Sequence, residues 1–422
     1  MSTPATTEAG TALKPNTLAI YFAYATVFLI TMGIGVITPV IPEIISPLIS
    51  DPKSLAFIAG LIHSTYAFCQ FLSAPGLGSL SDRFGRRPIL LICIIGSSIG
   101  YLFFGIGGAL SMLFLGRIID GITGGNISTL FAYVADMTAP AERGLYFGRL
   151  GAAAGLGFIF GPVIGGYTAQ FGSNAPLFVA TGLTFINFVL GLFIMPETHR
   201  PENRAKSVKI GQLNPFSQLR SVIALPNLYW LLMITLFYFI SFSVLQSNIA
   251  VFSKDIHGWA PQNISGLFFI VGIISIVVQG VLVKWLLTKW SDTTIASFGL
   301  AFLSLSLSLI AISAVVHQPN LIYVGIACFA FGDATASPML AGLLSRVAGP
   351  EKQGLVQGSN QSVTALGRII GPLLGGQLYV SLGAIFPYVL GSVAMLVAIV
   401  IVKQQTAQFK LVSSAPAEEV GA

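Results

Sequence analysis

Four charged side chains fall inside long apolar stretches, where an ionised group is costly. Arg117 and Asp120 lie three residues apart in one stretch, and Asp333 and Arg368 lie in two consecutive later stretches. A charge at the centre of a membrane helix costs about 2.5–3.5 kcal/mol on insertion scales, so each of these residues is a candidate for a function. Arg117 and Asp120 share a helix face and could form an ion pair that is either structural or responsive to protons.

Three residues are candidates for proton coupling. A carboxylate shielded from water can load and release a proton as its access to water alternates, so Asp120 and Asp333 are the first two. His63 is the third, because imidazole changes its charge near neutral pH. A hydrogen-bonded packing role is the alternative for His63.

Arg368 is the most unusual single residue of the chain. Counting 1.5 Å per residue along two antiparallel helices places it at about the depth of Asp333, so the two side chains could pair. A neutral pair would say nothing about the charge of a substrate. An arginine facing a cavity alone would instead favour a substrate with a carboxylate or a phosphate.

Polar uncharged residues in the same stretches point to a cavity inside the protein. Unpaired amides are costly in lipid, so these side chains are expected to face inward. Part of them will bond neighbouring helices, and the rest are expected to line a site for a polar or amphipathic organic molecule. With Arg117 and Arg368, the cavity candidates are Tyr66, Gln70, Asn126, Gln246, Asn248, Asn360 and Gln361.

Composition places these residues in a membrane protein. Hydrophobic residues make up 54% of the 422 residues and charged residues only 9%, whereas soluble domains carry about 25% charged residues. A stretch of about 20 mostly apolar residues is long enough to cross a bilayer as a helix. Twelve such stretches predict an all-α membrane protein; they start near Leu18, Ala56, Ile89, Leu110, Leu145, Leu177, Leu228, Ile264, Ile295, Leu321, Leu355 and Ile385.

The basic residues predict the orientation of the chain. Seventeen lysines and arginines fall in tails or loops on the side of the N-terminus, and two, Lys53 and Lys254, fall on the other side. Such an excess marks the cytoplasmic side, so both termini are expected in the cytoplasm. This sorting accounts for the net charge of +6 without nucleic-acid binding.

The sequence signatures of several other function classes are absent from the chain. The chain has no Walker loop for ATP, no His-Glu-x-x-His and no Cys-x-x-Cys motif. The three cysteines lie inside apolar stretches, where core packing is expected and a disulfide or metal site is not. We expect no enzyme, cofactor or metal. A sensor would usually carry an added soluble domain, for which the chain has no room.

An internal repeat divides the chain into two bundles of six helices. Residues 157–166 (GFIFGPVIGG) recur as residues 367–376 (GRIIGPLLGG) at an offset of 210. The predicted organisation is a tail at 1–16, a bundle at 17–195, a loop at 196–225, a second bundle at 226–404 and a tail at 405–422. Duplicated bundles around a central cavity are typical of transporters.

The strongest motif is the loop after the second stretch, where glycine, an acid and three arginines are closely spaced. It reads GSLSDRFGRRPI at residues 78–89 and is similar to the signature loop of the major facilitator superfamily. Residues 113–125 resemble the fourth-helix motif of that family, 157–166 its antiporter motif and 196–198 its sixth-helix ending. The resemblance covers nearly the whole chain.

Within the superfamily, the chain resembles the drug:proton antiporters, especially the tetracycline-efflux proteins. Those exporters carry aspartates in the first, third and ninth helices, and the aligned positions here are Ile30, Gly100 and about Phe302. The resemblance implies a proton-coupled exporter of small drug-like or amphipathic molecules. It also implies a monomer in a bacterial inner membrane. The departures argue against tetracycline as the substrate and against that proton route. The alternative is a carrier for a specific metabolite, with anions among the candidates, without proton antiport.

The resemblance assigns two further sets of residues. The signature loop would act as a gate whose acid faces the start of the eleventh helix, near Gly354, with a topology anchor as the simpler interpretation. The antiporter motif would pack helices closely and could also seal the transport pathway. The gating set is Gly78, Asp82, Arg83, Gly85, Arg86 and Arg87, and the helix-motif set is Gly157, Gly161, Pro162, Gly165 and Gly166.

Overall fold

The computed structural model of the chain describes residues 17–139, 142–199, 201–205, 214–215, 226–348 and 353–414. Predictions for the first tail, for most of the loop at 196–225 and for the last eight residues therefore lie outside the described ranges. Within those ranges the regular structure consists of helices.

The helices follow one another with short connections in both halves. The first half contains α1 (Thr17–Ile37), α2 (Ile41–Ile45), α3 (Leu55–Phe84), α4 (Arg86–Ile106), α5 (Leu110–Gly124), α6 (Ile127–Asp136), α7 (Arg143–Thr168) and α8 (Ala175–Ile194). The second half contains α9 (Pro226–His257), α10 (Pro261–Val277), α11 (Val283–Lys289), α12 (Asp292–Val316), α13 (Asn320–Ala348), α14 (Gln353–Leu382) and α15 (Phe386–Ser414). A π-helical segment, Val278–Leu282, joins α10 to α11.

All twelve predicted stretches fall in helices, which confirms the all-α membrane fold class. Ten helical segments of the described ranges are long and apolar enough to cross a bilayer. The remaining two stretches are α5 with α6, and α14, whose polar residues lower its hydropathy. The last helix extends to Ser414, ten residues beyond the boundary predicted at 404.

The fourth predicted stretch forms two helices because the chain breaks after Gly124. A helix end leaves backbone carbonyls without partners inside the helix. The side-chain amide of Gln70 on α3 donates to the Gly124 carbonyl at 2.9 Å and satisfies one of them. The break therefore lies against α3, inside the protein.

The antiporter motif packs α7 directly on α1. A Cβ added at Gly161 would lie 2.4 Å from the carbonyl oxygen of Met32, and one at Gly165 would lie 2.3 Å from that of Val36. Side chains would not fit at these positions, so glycine allows the two backbones to touch. Close backbone approach at small residues is a main source of helix association in membranes.

The repeated motif makes the equivalent contact in the second half. It packs α14 on α9, where a Cβ at Gly371 would lie 2.7 Å from the carbonyl oxygen of Ile240. A Cβ at Gly375 would lie 2.4 Å from Nδ2 of Asn248. The sequence repeat thus corresponds to a repeated helix pair.

The last glycine of each motif contacts the opposite half. A Cβ at Gly166 would lie 1.8 Å from Oγ of Ser265 on α10, and that hydroxyl donates to the Pro162 carbonyl at 2.6 Å. In the second motif, a Cβ at Gly376 would lie 2.7 Å from the carbonyl oxygen of Ala56 on α3. The two halves therefore touch along α7 with α10 and along α14 with α3.

These contacts lie toward the membrane face opposite the signature loop. We call the face of residues 78–89 the loop face and the opposite one the distal face. Toward the loop face, one side of α7 has no neighbour among the described residues: added Cβ atoms at Gly144, Gly148, Gly151 and Gly155 would meet none of them within 4 Å. The described part of the protein is closed at the distal face and open along α7 at the loop face.

Candidate functional site

A small central pocket gathers five of the predicted site residues. His63 and Tyr66 reach it from α3, Arg117 from α5, Gln246 from α9 and Arg368 from α14. Its volume of about 20 Å³ holds one or two water-sized groups. Both halves of the chain thus contribute a cation to one pocket.

Arg117 forms an ion pair and stacks on rings. Its Nη1 donates to Oδ2 of Asp120 at 3.4 Å, and both side chains are 2% exposed. The guanidinium carbon lies 5.3 Å from the ring centroids of both Tyr66 and Phe104. Stacking on aromatic faces suits an arginine held in a dry environment. The charge of Arg117 is balanced by Asp120 before any ligand is present.

Gly100 provides the room for Asp120. A Cβ at position 100 would lie 2.8 Å from the Cβ of Asp120, so no larger residue fits there. The absence of a side chain at Gly100 thus lets Asp120 of α5 pack closely against α4.

Arg368 does not pair with Asp333. Among the described residues, no carboxylate lies within ion-pair distance of the Arg368 guanidinium, which faces the central pocket. Asp333 instead accepts a short hydrogen bond from the hydroxyl of Tyr238 on α9. The alternative of a neutral Arg368–Asp333 pair is thus not realised in this structure.

A larger cavity adjoins the central pocket. It has a volume of about 230 Å³, and Gln246 lines both spaces. Its wall is mainly apolar and aromatic, with Gln246, Ser275, Gln279 and Asp333 as the polar residues. Concave, mostly apolar sites with few polar groups are typical of binding sites for small organic molecules. The aromatic residues of the wall are Phe158, Phe242, Phe268 and Phe329.

His63 is held by a backbone hydrogen bond. Its Nδ1 lies 3.0 Å from the carbonyl oxygen of Ala59, so Nδ1 carries the proton of the neutral ring. Its Nε2 is buried without a hydrogen-bond partner among the described residues. His63 is thus a helix-packing residue that also presents a ring nitrogen at the central pocket.

The other predicted cavity residues lie outside both spaces. Gln70 bonds Tyr66 and the helix break, and Asn248 donates to the Val244 carbonyl at 3.0 Å inside the α9–α14 contact. Asn126 is fully buried at the break, and neither of its side-chain polar atoms has a partner in the described part. Asn360 is half-buried and Gln361 is exposed.

The signature loop is held by residues of the first half. Arg86 lies 2.5 Å from Asp82 and 3.3 Å from Asp136, which ends α6. The backbone amide of Arg86 donates to the Glu197 carboxylate at 2.9 Å. Asp82 is half-exposed and pairs with Arg86 of its own loop. Its contact with the start of α14 stays a prediction, because the residues just before that helix, 349–352, lie outside the described ranges.

The remaining loop residues support this arrangement. Gly85 has a φ of 107°, a conformation that favours glycine. Arg87 donates to the Leu192 carbonyl at 2.6 Å, and Arg83 lies 5.1 Å above the Phe84 ring. A Cβ at Gly78 would meet nothing within 4 Å. The loop ties α3, α4, α6 and the segment after α8 together at one face.

Sequence reasoning missed several residues of the site. The sequence does not mark these residues as part of a site, because aromatic and small polar residues are ordinary in a lipid-facing bundle. They are Tyr238, Ser243 and the four phenylalanines of the larger cavity. Their signal is positional: Phe242, Gln246 and Ile249 recur at helical spacing on α9 and line the larger cavity together.

Comparisons with known proteins agree with this architecture. The sequence profile of the Major Facilitator Superfamily matches residues 23–372. The class C tetracycline resistance protein of Escherichia coli is 31% identical over 367 residues, which cover 87% of this chain and 91% of that protein. Multidrug resistance protein 2 of Bacillus subtilis (strain 168) is 29% identical over 377 residues, covering 88% and 91%.

Solved structures share the fold. The human organic anion transporter MFSD10 (TETRAN) superposes with a TM-score of 0.69 at 23% identity, covering 92% of this chain and 99% of that chain. A bacterial homologue of the human lysosomal transporter Spinster, inward-facing and unoccupied, superposes with a TM-score of 0.70 at 15% identity, covering 94% and 97%. The chain belongs to the major facilitator superfamily and is a membrane transporter, not an enzyme, related to tetracycline and multidrug efflux proteins.

Proposed function

We propose that this transporter exports small organic molecules in exchange for protons by alternating access. The observation that carries the proposal is the apolar cavity of about 230 Å³ between helices of both halves. It lies beside a distal face closed by α7 with α10 and by α14 with α3. The related efflux proteins are named for resistance to tetracycline or to several drugs.

The uneven packing of the two faces supports alternating access. The side of α7 that contacts α10 near Gly166 continues toward the loop face as the unpacked positions Gly148 and Gly155. Rocking one half against the other would close this side and open the distal contacts. The signature loop, with Asp82 half-exposed, would then meet the start of α14 as a latch.

The orientation and assembly belong to the same proposal. With the loop face in the cytoplasm, as the basic residues predict, the cavity is open toward the interior of the cell. We place both termini in the cytoplasm of a bacterial inner membrane and treat the two six-helix bundles as the moving bodies of a monomer. Small-molecule substrate, protons and lipid are then its partners.

Two carboxylates are the candidates for carrying the proton. Asp333 borders the larger cavity and accepts from Tyr238, so a proton there could respond to substrate directly. Asp120 is buried against Arg117, so its protonation would release the arginine. Both couple a proton to a group at or beside the cavity.

The test is proton movement in sealed vesicles that hold the full-length protein. A pH gradient is imposed, and cationic, neutral and anionic compounds are added in turn. Collapse of the gradient on adding a compound, lost in Asp333→Asn and kept in the exposed control Glu142→Gln, supports antiport through Asp333. Solute flux without proton movement contradicts antiport.

A specific observation favours a second function. Arg368 faces the central pocket without an ion pair in the described part, which suits a carrier for one anionic metabolite that needs no proton exchange. In the vesicle experiment this carrier would move an anionic compound while leaving the pH gradient unchanged.

A further inference from the structure

We propose that the Arg368 pocket binds the carboxylate of an amphipathic organic anion whose apolar body lies in the adjoining aromatic cavity. The inference rests on the proposed transport of small organic molecules, and it holds whether or not protons are exchanged. It assigns a charge and an orientation to the substrate.

The first argument is the charge balance of the central pocket. Arg117 is neutralised by Asp120 at 3.4 Å, whereas no described carboxylate pairs with Arg368. The ring of His63 adds no negative charge. A cation that is partly shielded from water and unpaired is unfavourable, and an entering anion would offset it.

The second argument is the set of hydrogen-bond donors around that cation. An arginine presents a planar fork that matches a carboxylate through two parallel hydrogen bonds. Ser243 lines the same pocket, and its buried hydroxyl has no hydrogen-bond partner among the described residues. The amide of Gln246 lies at the border with the larger cavity. Arg368, Ser243 and Gln246 thus present hydrogen-bond donors to one pocket. Among the described residues, no carboxylate pairs with the Arg368 cation there.

The third argument is the division of space. The central pocket has a volume of about 20 Å³, which suits two oxygen atoms and excludes a ring. The larger cavity, about 230 Å³, has room for the ring or chain. Phe242 and Phe329 line it with their ring centroids 5.6 Å apart. The anionic end therefore belongs in the pocket and the apolar end in the cavity.

Asp333 strengthens this orientation. Its carboxylate borders the larger cavity and accepts from Tyr238. An anionic group would be repelled from that wall, so the charge of Asp333 and that of Arg368 both direct a carboxylate toward the central pocket. A substrate held only by Asp333 would instead be a cation, so a cationic probe distinguishes the two.

The test is equilibrium binding to the purified full-length protein in lipid nanodiscs, with three probes that share one ring system. They are naphthoate, naphthamide and naphthylmethylammonium, and binding is followed by probe fluorescence. We expect naphthoate to bind at least ~10-fold more tightly than naphthamide, as a charge-assisted bidentate contact provides. No gradient is present, so a failure of proton exchange leaves this result unaffected.

The variants separate the pocket from general effects. Arg368→Gln is expected to remove the preference for naphthoate while leaving naphthamide binding within ~2-fold, and Arg368→Lys to keep part of it. Ser243→Ala removes an unpaired hydroxyl and is expected to weaken naphthoate binding by a few fold without affecting folding. Lys53→Gln, an exposed cation at the distal face, is the matched control and should change nothing.

Four outcomes overturn the proposal. They are equal affinity for naphthoate and naphthamide, tightest binding of naphthylmethylammonium, a naphthoate preference that survives in Arg368→Gln, and no binding of any probe to the folded protein.

Discussion

Nζ of Lys254 lies 2.9 Å from Oε2 of Glu43, and this ion pair joins the two halves of the molecule at the distal face. The Lys254 ammonium also donates to the Ser46 hydroxyl at 3.3 Å. The side chains of Lys254 and Glu43 are 29% and 35% exposed. Because water screens a pair of this exposure, its contribution is about 1 kcal/mol or less. The pair biases the distal face toward closure without locking it.

Lys254→Met is therefore expected to open the distal face more often. The reporter is Ile249→Cys at the larger cavity, in a background in which Cys69, Cys93 and Cys328 are serine. An impermeant maleimide added on the distal side of sealed vesicles should label it about two- to five-fold faster, the factor that corresponds to this energy.

The charge-swapped protein, with Glu43→Lys and Lys254→Glu together, is expected to restore slow labelling. Lys53→Met is the matched control, since Lys53 is exposed on the same face and its side chain belongs to no ion pair in the described part. An unchanged rate in Lys254→Met would mean that the pair does not hold the distal contacts.

Gly148→Val tests closure at the loop face. A Cβ at Gly148 meets no described residue within 4 Å in the present conformation, so folding and thermal stability should be unaffected. In the alternate state this side of α7 must approach the second half, and the branched side chain would keep the helices apart. We expect transport in vesicles to fall at least ~10-fold, because a barrier of about 1.4 kcal/mol gives that factor.

Gly182→Val provides the comparison. Gly182 on α8 also has open space around its added Cβ, and α8 takes no part in the α7–α10 and α14–α3 contacts between the halves. This variant should transport at the rate of the unsubstituted protein. Equal losses in both variants would point to a general effect of valine and would contradict the rocking proposal.

The sequence predicted the fold well because hydropathy is a local property. Each apolar stretch must become a helix in lipid to satisfy its backbone, so composition alone locates the spanning segments. The pairing of Arg117 with Asp120 was also predictable, since three residues along a helix bring two side chains to one face. Local spacing carries both results.

Contacts between distant segments were less predictable. Counting residues placed Arg368 and Asp333 at one depth, but depth does not say which way a side chain points around its helix. In the structure, Asp333 contacts Tyr238, and Glu197 holds the signature loop. Tyr238 shows no pattern of its own in the sequence, and the 196–198 motif that contains Glu197 does not say which loop its carboxylate contacts, because tertiary packing brings each partner into place.

Asp120→Asn should destabilise the protein strongly. The Arg117–Asp120 pair is 2% exposed on both sides, and removing one partner leaves a buried charge without compensation, at a cost of about 3–5 kcal/mol. The midpoint of thermal unfolding in detergent is expected to fall by several degrees.

The double variant Arg117→Gln with Asp120→Asn removes both charges together. It should recover most of the stability lost in Asp120→Asn, because a neutral buried pair carries no uncompensated charge. It also shows whether a transport defect of Asp120→Asn comes from the loss of a protonatable group or from the loss of stability. No recovery in the double variant would mean that Asp120 stabilises the site through contacts other than the ion pair.

Gly85→Ala should destabilise the signature loop for two separable reasons. The φ of 107° at Gly85 is unfavourable for a residue with a Cβ, which costs about 1–3 kcal/mol. The added Cβ would also lie 2.3 Å from Oε2 of Glu197, the carboxylate that accepts from the Arg86 amide.

Gly172→Ala is the matched control, since Gly172 has a φ of 126° but open space around its Cβ. We expect the midpoint of thermal unfolding to fall further in Gly85→Ala than in Gly172→Ala. Equal shifts would show that the Glu197 carboxylate can be displaced without loss of stability and does not hold the loop.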